Sequence, residues 1–277
     1  MSSSPSSVAL SGDVELYYES TGAGAPVLLV MGLGMNATGW WRTVPVLVAA
    51  GFRVLSFDNR GMGRSARPPG PYSVGQLADD CVAVLDAAGE QSAHVYGISL
   101  GGMIAQEVAL RHPARVRSLV LGATTPGGQR SVALGSDVRA FFDRRAAMPP
   151  EESVWASVPY NYGPRTRAED AQRIGEDIAR RLRFPAEPEY YLAQLAAALS
   201  HDAHARLPEL TVPTLVVHGD ADVMVPPGNA ELLAEAIPGA RLELLPGAGH
   251  LYPTDEPAAD VRVAEFLVSV RSTPGRA

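Results

Sequence analysis

The eight residues Val95-Tyr96-Gly97-Ile98-Ser99-Leu100-Gly101-Gly102 set one serine among three glycines. Ala93 to Gly97 reads as a short buried strand, and Gly101 to Arg111 carries a helical apolar pattern, so Ser99 stands at a strand-to-helix junction. A tight turn could contain a serine by accident. The spacing G-x-S-x-G is more specific, because glycines two before and two after the serine keep neighbouring side chains out of a sharp turn and let the hydroxyl project. Gly102 then allows the following helix to pack close to the sheet.

Outward from this junction the pattern repeats. Short apolar runs lie at Val27 to Val30, Phe52 to Phe57, Arg117 to Leu121, Thr214 to Gly219 and Arg241 to Leu245, each read as a strand buried on both faces. Val14 to Ser20 alternates and reads as an earlier strand, with a turn at Gly22 to Pro26. Helical patterns occupy residues 40–50, 76–88, 229–236 and 258–270. Strands alternating with helices predict an α/β fold, a mostly parallel central sheet flanked by helices. The alternation fails once, between Thr125 and Ala205, where helix-like segments rich in Arg, Glu and Ala replace strands. That stretch is too long for a loop in a compact domain. Residues 125–205 are therefore expected to form an inserted helical cap on a core of residues 1–124 and 206–277, over the sheet's carboxyl edge where such folds hold ligands.

The totals narrow the function classes. A chain of 277 residues suits one large α/β domain with an insertion. A net charge of −7 with no cluster of Lys and Arg argues against nucleic acid or an anionic membrane surface as partner. The single cysteine, Cys81, excludes an internal disulfide and sits at a core position of a helical pattern. The opening Met1 to Ser7 has neither a basic region nor a long apolar run, and no stretch approaches a membrane span. A soluble, cytoplasmic protein is expected, with loose ends at the first residues and at Ser272 to Ala277.

A serine hydroxyl is a poor nucleophile at neutral pH. It needs a base, a group to orient that base, and donors for the oxyanion that forms. Of six histidines, His94, His112, His201, His204 and His218 read as packing, capping or turn residues. His250 lies on the glycine-rich loop Pro246 to Leu251 after a strand, where side chains reach beyond the carboxyl edge. Asp220 and Asp222 both follow another strand, and either can be a turn former or the orienting acid. The backbone N–H of Leu100 supplies one oxyanion donor, and the loop Met31 to Asn36 is placed to supply the second from Leu33. The remaining histidines and acids show no metal-ligand spacing, so neither metal nor cofactor is called for.

With these residues in order, the chain resembles the α/β-hydrolase superfamily over nearly its whole length. Phe57 to Ser65, "FDNRGMGRS", resembles the loop after the strand preceding the elbow; "HGDADVMVP" (His218 to Pro226) resembles the acid loop; "PGAGHLYPTDEP" (Pro246 to Pro257) is similar to the histidine loop. The family's acid usually stands three residues after the glycine, which selects Asp222 and leaves Asp220 as the turn residue. Ser99, Asp222, His250 then follow the family's chain order. Many relatives begin the oxyanion loop with His-Gly, where this chain has Met31-Gly32.

The branch it looks most similar to is that of lactonases, esterases and cofactor-free haloperoxidases. The resemblance implies hydrolysis of a small carboxylic ester or lactone. Perhydrolysis, C–C hydrolysis or a lyase step on the same triad are alternatives, as is a ligand-binding protein on the hydrolase fold. Met35, Met224, Trp155 and Tyr160 are expected to line a mainly apolar pocket, although each also reads as ordinary core. Arg144, Arg145, Arg165, Arg167, Arg180 and Arg181 read as a solvated face of the helical cap rather than as contacts for an anionic substrate. A homodimer is the commonest assembly for such a chain.

Overall fold

The computed structural model describes residues 6–145 and 147–271. The expected loose ends at residues 1–5 and 272–277 lie outside the described residues. The described strands are β1 (Ser6–Ser11), β2 (Val14–Gly22), β3 (Ala25–Val30), β4 (Phe52–Phe57), β5 (Ala93–Ile98), β6 (Val116–Gly122), β7 (Thr214–Gly219) and β8 (Arg241–Leu245). They form one sheet in the order β1-β2-β4-β3-β5-β6-β7-β8. β1 pairs with β2, and β2 with β4, antiparallel; every other neighbouring pair is parallel.

The apolar runs form strands because both faces are covered, and all six residues of β5 and of β7 are buried. The two-residue period divides β3 cleanly. Leu28 and Val30 enter one core with α2 (Val74–Ala87) and α3 (Leu100–Arg111), while Val27 and Leu29 enter the other with α1 (Thr43–Ala49). α2 begins at a capping box, in which Ser73 Oγ accepts from Gln76 N and Gln76 Oε1 accepts from Ser73 N. Cys81 on this helix is fully buried and its thiol pKa is pushed well up by burial, so it serves as core.

Two strands depart from expectation. β1 was not visible as a strand in the sequence, and it begins inside the segment read as a loose end; only Ala9 of its apolar residues is buried, with Val8 and Leu10 facing solvent. β8 is an edge strand, with Leu242 and Leu244 exposed and only Leu245 buried, so its apolar run does not mark two covered faces.

Between β6 and β7 come α4 (Ser136–Arg145), α5 (Pro150–Ala156), α6 (Val158–Asn161), α7 (Pro164–Glu169), α8 (Ala171–Arg181) and α9 (Pro188–Ser200). Val154, Tyr162, Ile174 and Ile178 make a small core of their own. Polar ties hold these helices to the loops beyond β3 and β4: Asn36 Nδ2 donates to Phe184 O at 3.1 Å, and Gln194 Nε2 donates to Arg60 O at 3.2 Å. The chain then completes the sheet's flanks with α10 (Gly228–Ala236), α11 (Tyr252–Asp255) and α12 (Ala258–Arg271), the last packing with α1 on the second core. Among the described residues no helix is long and apolar enough to cross a membrane.

Candidate active site

Ser99 occupies the turn between β5 and α3 with φ 59° and ψ −122°, a conformation that costs an L-residue on the order of 1–3 kcal/mol. The surroundings hold it there. Ser99 N donates to Gly122 O at 2.9 Å, and Ser99 O accepts from Gly102 N (2.9 Å), Met103 N (3.2 Å) and Thr124 Oγ1 (2.7 Å). A Cβ at Gly97 would overlap the Gly101 carbonyl, and a Cβ at Gly101 would overlap the Val30 carbonyl. Both glycines are thus required by close backbone approach, while the positive φ falls on the serine itself. Ser99 is partly exposed between buried Ile98 and buried Leu100, and among the described residues its hydroxyl makes no hydrogen bond. The side chain projects uncommitted.

The loops after β7 and β8 meet beside it. His250 Nδ1 lies 2.8 Å from Asp222 Oδ2, and both side chains are buried. His218 Nε2 approaches the same oxygen at 3.2 Å while lying 2.8 Å from Val225 O. Asp222 Oδ1 accepts from Met224 N (2.8 Å) and Val225 N (2.9 Å). Burial pushes the Asp222 carboxyl pKa up, but the two imidazoles outweigh it and hold the value at about 2. Asp220 is exposed and accepts from Gly247 N at 2.6 Å, which ties the two loops together as a turn residue does. Asp255 Oδ2 accepts from both Gly249 N (2.7 Å) and Gly163 N (2.8 Å), and Leu251 N donates to Asn161 O (2.8 Å), so the histidine loop is also pinned to the α6–α7 connection.

The loop Met31 to Asn36 runs past the serine. A Cβ at Gly32 would sit 3.0 Å from Ser99 Cβ and 3.6 Å from its Oγ. Met31 O accepts from Asn59 Nδ2 (3.0 Å), and Gly34 N donates to Gln194 Oε1 (3.2 Å). These two side-chain amides anchor the loop that begins Met31-Gly32. Leu100 opens α3, so its N–H has no partner within that helix, and among the described residues neither the Leu33 nor the Leu100 N–H is engaged.

Ser99, His250, Leu33, Met35 and Met224 open on one cavity of about 50 Å³. Two other residues expected there do not reach it. Trp155 is 52 % exposed on the outer side of α5, whose inner face is Val154. Tyr160 stacks on Phe141, ring centroids 4.5 Å apart, outside the cavity lining. Phe142, Asn161, Arg145 and Arg181 line it instead.

The arginines correct the sequence reading. Arg144, Arg165 and Arg167 are exposed and Arg180 is half-buried, but Arg145 and Arg181 are each 8 % exposed. The signal lay in the period: Val138, Phe141 and Arg145, and Ile174, Ile178 and Arg181, fall on the buried stripes of α4 and α8. Among the other histidines, His94 pairs with Ser118 Oγ at 2.8 Å and its burial lowers its pKa to about 4; His112 caps α3 and lies 2.8 Å from Asp79.

The chain belongs to the alpha/beta hydrolase fold family, whose pattern it matches over residues 25–257. A putative carbamate hydrolase, RutD, of Azorhizobium caulinodans is 38% identical over 249 residues, 89% of this chain and 92% of that protein. A putative non-heme bromoperoxidase, BpoC, of Mycobacterium tuberculosis is 30% identical over 94% of this chain and all of that one. Among solved structures, a thermophilic esterase of Thermogutta terrifontis with malate bound superposes with a TM-score of 0.83, at 28% identity, over 97% of this chain and 100% of that one. The relatives are named as hydrolases and a peroxidase, and this chain is a hydrolase of the same fold.

Proposed function

We propose that the protein is a serine hydrolase that opens a carboxylic ester or lactone through an acyl-enzyme. Ser99 Oγ attacks the carbonyl carbon as His250 takes the hydroxyl proton. The carbonyl oxygen becomes an oxyanion held by the Leu33 and Leu100 N–H groups. His250 then protonates the departing alkoxide, and the C–O bond breaks to leave acyl-Ser99. A water deprotonated by His250 attacks that ester, and the acid leaves as Ser99 regains its proton. Asp222 holds His250 with Nδ1 protonated, which leaves Nε2 free to act as base, and it stabilises the imidazolium. Helices α4 to α9 act as the cap, residues 125–205, over a core of residues 1–124 and 206–277, and they set the size of the acyl group.

The observation that carries this reading is the 2.8 Å Asp222–His250 contact opening on the same cavity as an unengaged, conformationally strained Ser99. The test is pre-steady-state hydrolysis of p-nitrophenyl acetate. A burst of nitrophenol and an acetyl adduct on Ser99 by mass spectrometry are expected, both absent in Ser99→Ala. Unchanged turnover by Ser99→Ala would overturn the mechanism.

The 38% identity to a protein named as a putative carbamate hydrolase favours one second reading, cleavage of a carbamoyl C–N bond by the same three side chains. Release of ammonia from carbamate, measured against alcohol release from short esters, separates the two. The likeness to a putative bromoperoxidase adds one control, product analysis with and without hydrogen peroxide.

A further inference from the structure

Among the described residues one arginine besides Arg145 and Arg181 is buried, and it has a counter-charge: Arg60, 9 % exposed, makes a two-point contact with Asp80 (2.6 and 2.5 Å), and even the partly exposed Arg64 pairs with Asp58 at 2.8 Å. Arg145 and Arg181 are as deeply buried, yet among the described residues neither has a carboxylate within 4.0 Å. Their partners are neutral: Arg145 Nε donates to Ser153 Oγ (2.9 Å), and Arg181 Nη1 to Ser157 Oγ (3.2 Å). The Arg145 guanidinium also lies 4.9 Å from the centre of the Tyr191 ring, a contact that offsets only part of the cost of burying a cation. Asp177, one turn before Arg181, is occupied by Trp41 Nε1 (3.0 Å), Arg42 (3.4 Å) and Thr254 (2.5 Å). Asp222 is occupied by two histidines. Two guanidinium groups, which stay charged in proteins, therefore share a cavity lining with no counter-charge. Burial above all draws the Arg145 pKa down, with the neighbouring Arg181 charge acting in the same direction, as expected for a cation that lacks an anion.

The geometry points to a carboxylate-binding subsite at Arg145 and Arg181, so that the substrate is a short ester or lactone carrying a second, ionised carboxyl group. This inference rests on the hydrolase reading for the reaction, and on the two arginines alone for the anion. The guanidinium fork matches a carboxylate in two-point hydrogen bonds, and in a dry site such charge-assisted bonds are strong. Arg145, Arg181, Ser99 and His250 line the same cavity of about 50 Å³, so only a short chain separates the bound carboxylate from the scissile carbonyl. Arg181 also borders two adjoining small cavities, one of them with Arg145, where the rest of such a substrate can extend.

The experiment compares p-nitrophenyl hemisuccinate with p-nitrophenyl butyrate, esters of like length that differ in the terminal charge. The wild-type kcat/KM is expected to favour the hemisuccinate by about tenfold or more. Succinate is expected to inhibit competitively, and succinamide not. In Arg145→Met and Arg181→Met the hemisuccinate value falls at least about ten times further than the butyrate value, chiefly through KM, and Arg145→Lys restores part of it. The wild-type comparisons stand even where a variant fails to fold. Equal or better use of the butyrate, with no inhibition by succinate, overturns the subsite. Calorimetric titration of succinate into Ser99→Ala separates the two ideas: binding there upholds the subsite whatever becomes of the acyl-enzyme, and full turnover of both esters by Ser99→Ala sinks the mechanism while leaving the subsite intact.

Discussion

Replacing Asp222 by Asn tests the site at its most constrained atom set. Four N–H donors converge on this one carboxylate: Met224 N and Val225 N on Oδ1, His250 and His218 on Oδ2. An amide has one acceptor oxygen, so it can serve only one of these pairs. Turned to keep the two backbone donors, it presents its NH₂ to both imidazoles. His218 cannot readily adjust, because its Nε2–H also serves Val225 O at 2.8 Å. His250 can, by moving its proton from Nδ1 to Nε2, and that is the wrong tautomer for a base acting on Ser99. A change of this kind costs about 10⁴ in kcat, or about 5.5 kcal/mol in the barrier.

The same substitution has a separate effect on stability. The Asp222 pKa of about 2 lies below its ordinary 3.8, a difference worth about 2 kcal/mol. A lowered folded-state value stabilises the protein above pH 3.8 and is lost as the pH falls toward 2. In urea unfolding from pH 6 to pH 3, wild type should therefore lose stability relative to Asp222→Asn, because the variant has no carboxylate to protonate. The rate is read by single-turnover acylation with p-nitrophenyl acetate at pH 7.5. If Asp222→Asn keeps more than a tenth of the wild-type rate, the reasoning from donors and tautomers is wrong.

Three further outcomes follow from the same geometry. Asp260 is buried and accepts from Thr43 Oγ1 at 2.7 Å and Tyr96 at 3.3 Å, and burial raises its pKa from 3.8 to about 6. Its protonation therefore stabilises the fold by up to about 3 kcal/mol below pH 4, a gain lost as the pH rises through 6; Asp260→Asn should flatten that part of the stability profile in urea titrations. Ser99→Gly should melt higher than Ser99→Ala, by the equivalent of about 1–2 kcal/mol, because glycine relieves the strain at φ 59° that alanine retains. Gly101→Ala, whose new methyl group meets the Val30 carbonyl, should lose about 3 kcal/mol or more in denaturant unfolding, against a control such as Gly175→Ala in α8, where the added carbon meets nothing within 4 Å and the backbone is helical.

Much of this site was legible along the chain because local chemistry announces it. The elbow and the acid loop follow buried strands, the histidine loop follows the edge strand β8, and parallel strands deliver all their following loops to one edge. Ser99, Asp222 and His250 are therefore brought together by topology. The strand at Ser6–Ser11 is not legible in the sequence because an edge strand needs few apolar residues, and of its apolar residues only Ala9 is buried. β8 misleads for the opposite reason, since Leu242 and Leu244 are apolar yet face solvent on the sheet's other edge.

The helices between β6 and β7 mark the boundary of what a sequence can say. Trp155 looked like a pocket residue by its chemistry, and Arg145 and Arg181 looked like surface residues by theirs; the tertiary structure reverses both assignments. By itself the sequence determined the fold and the order of the three side chains, because these depend on period-two and helical patterning and on glycines at close approach. Tertiary structure alone decided which residues of the helices between β6 and β7 face the serine. A helix's period says which residues share a stripe, but only packing against the rest of the molecule says which stripe is inward and which charges meet no partner there.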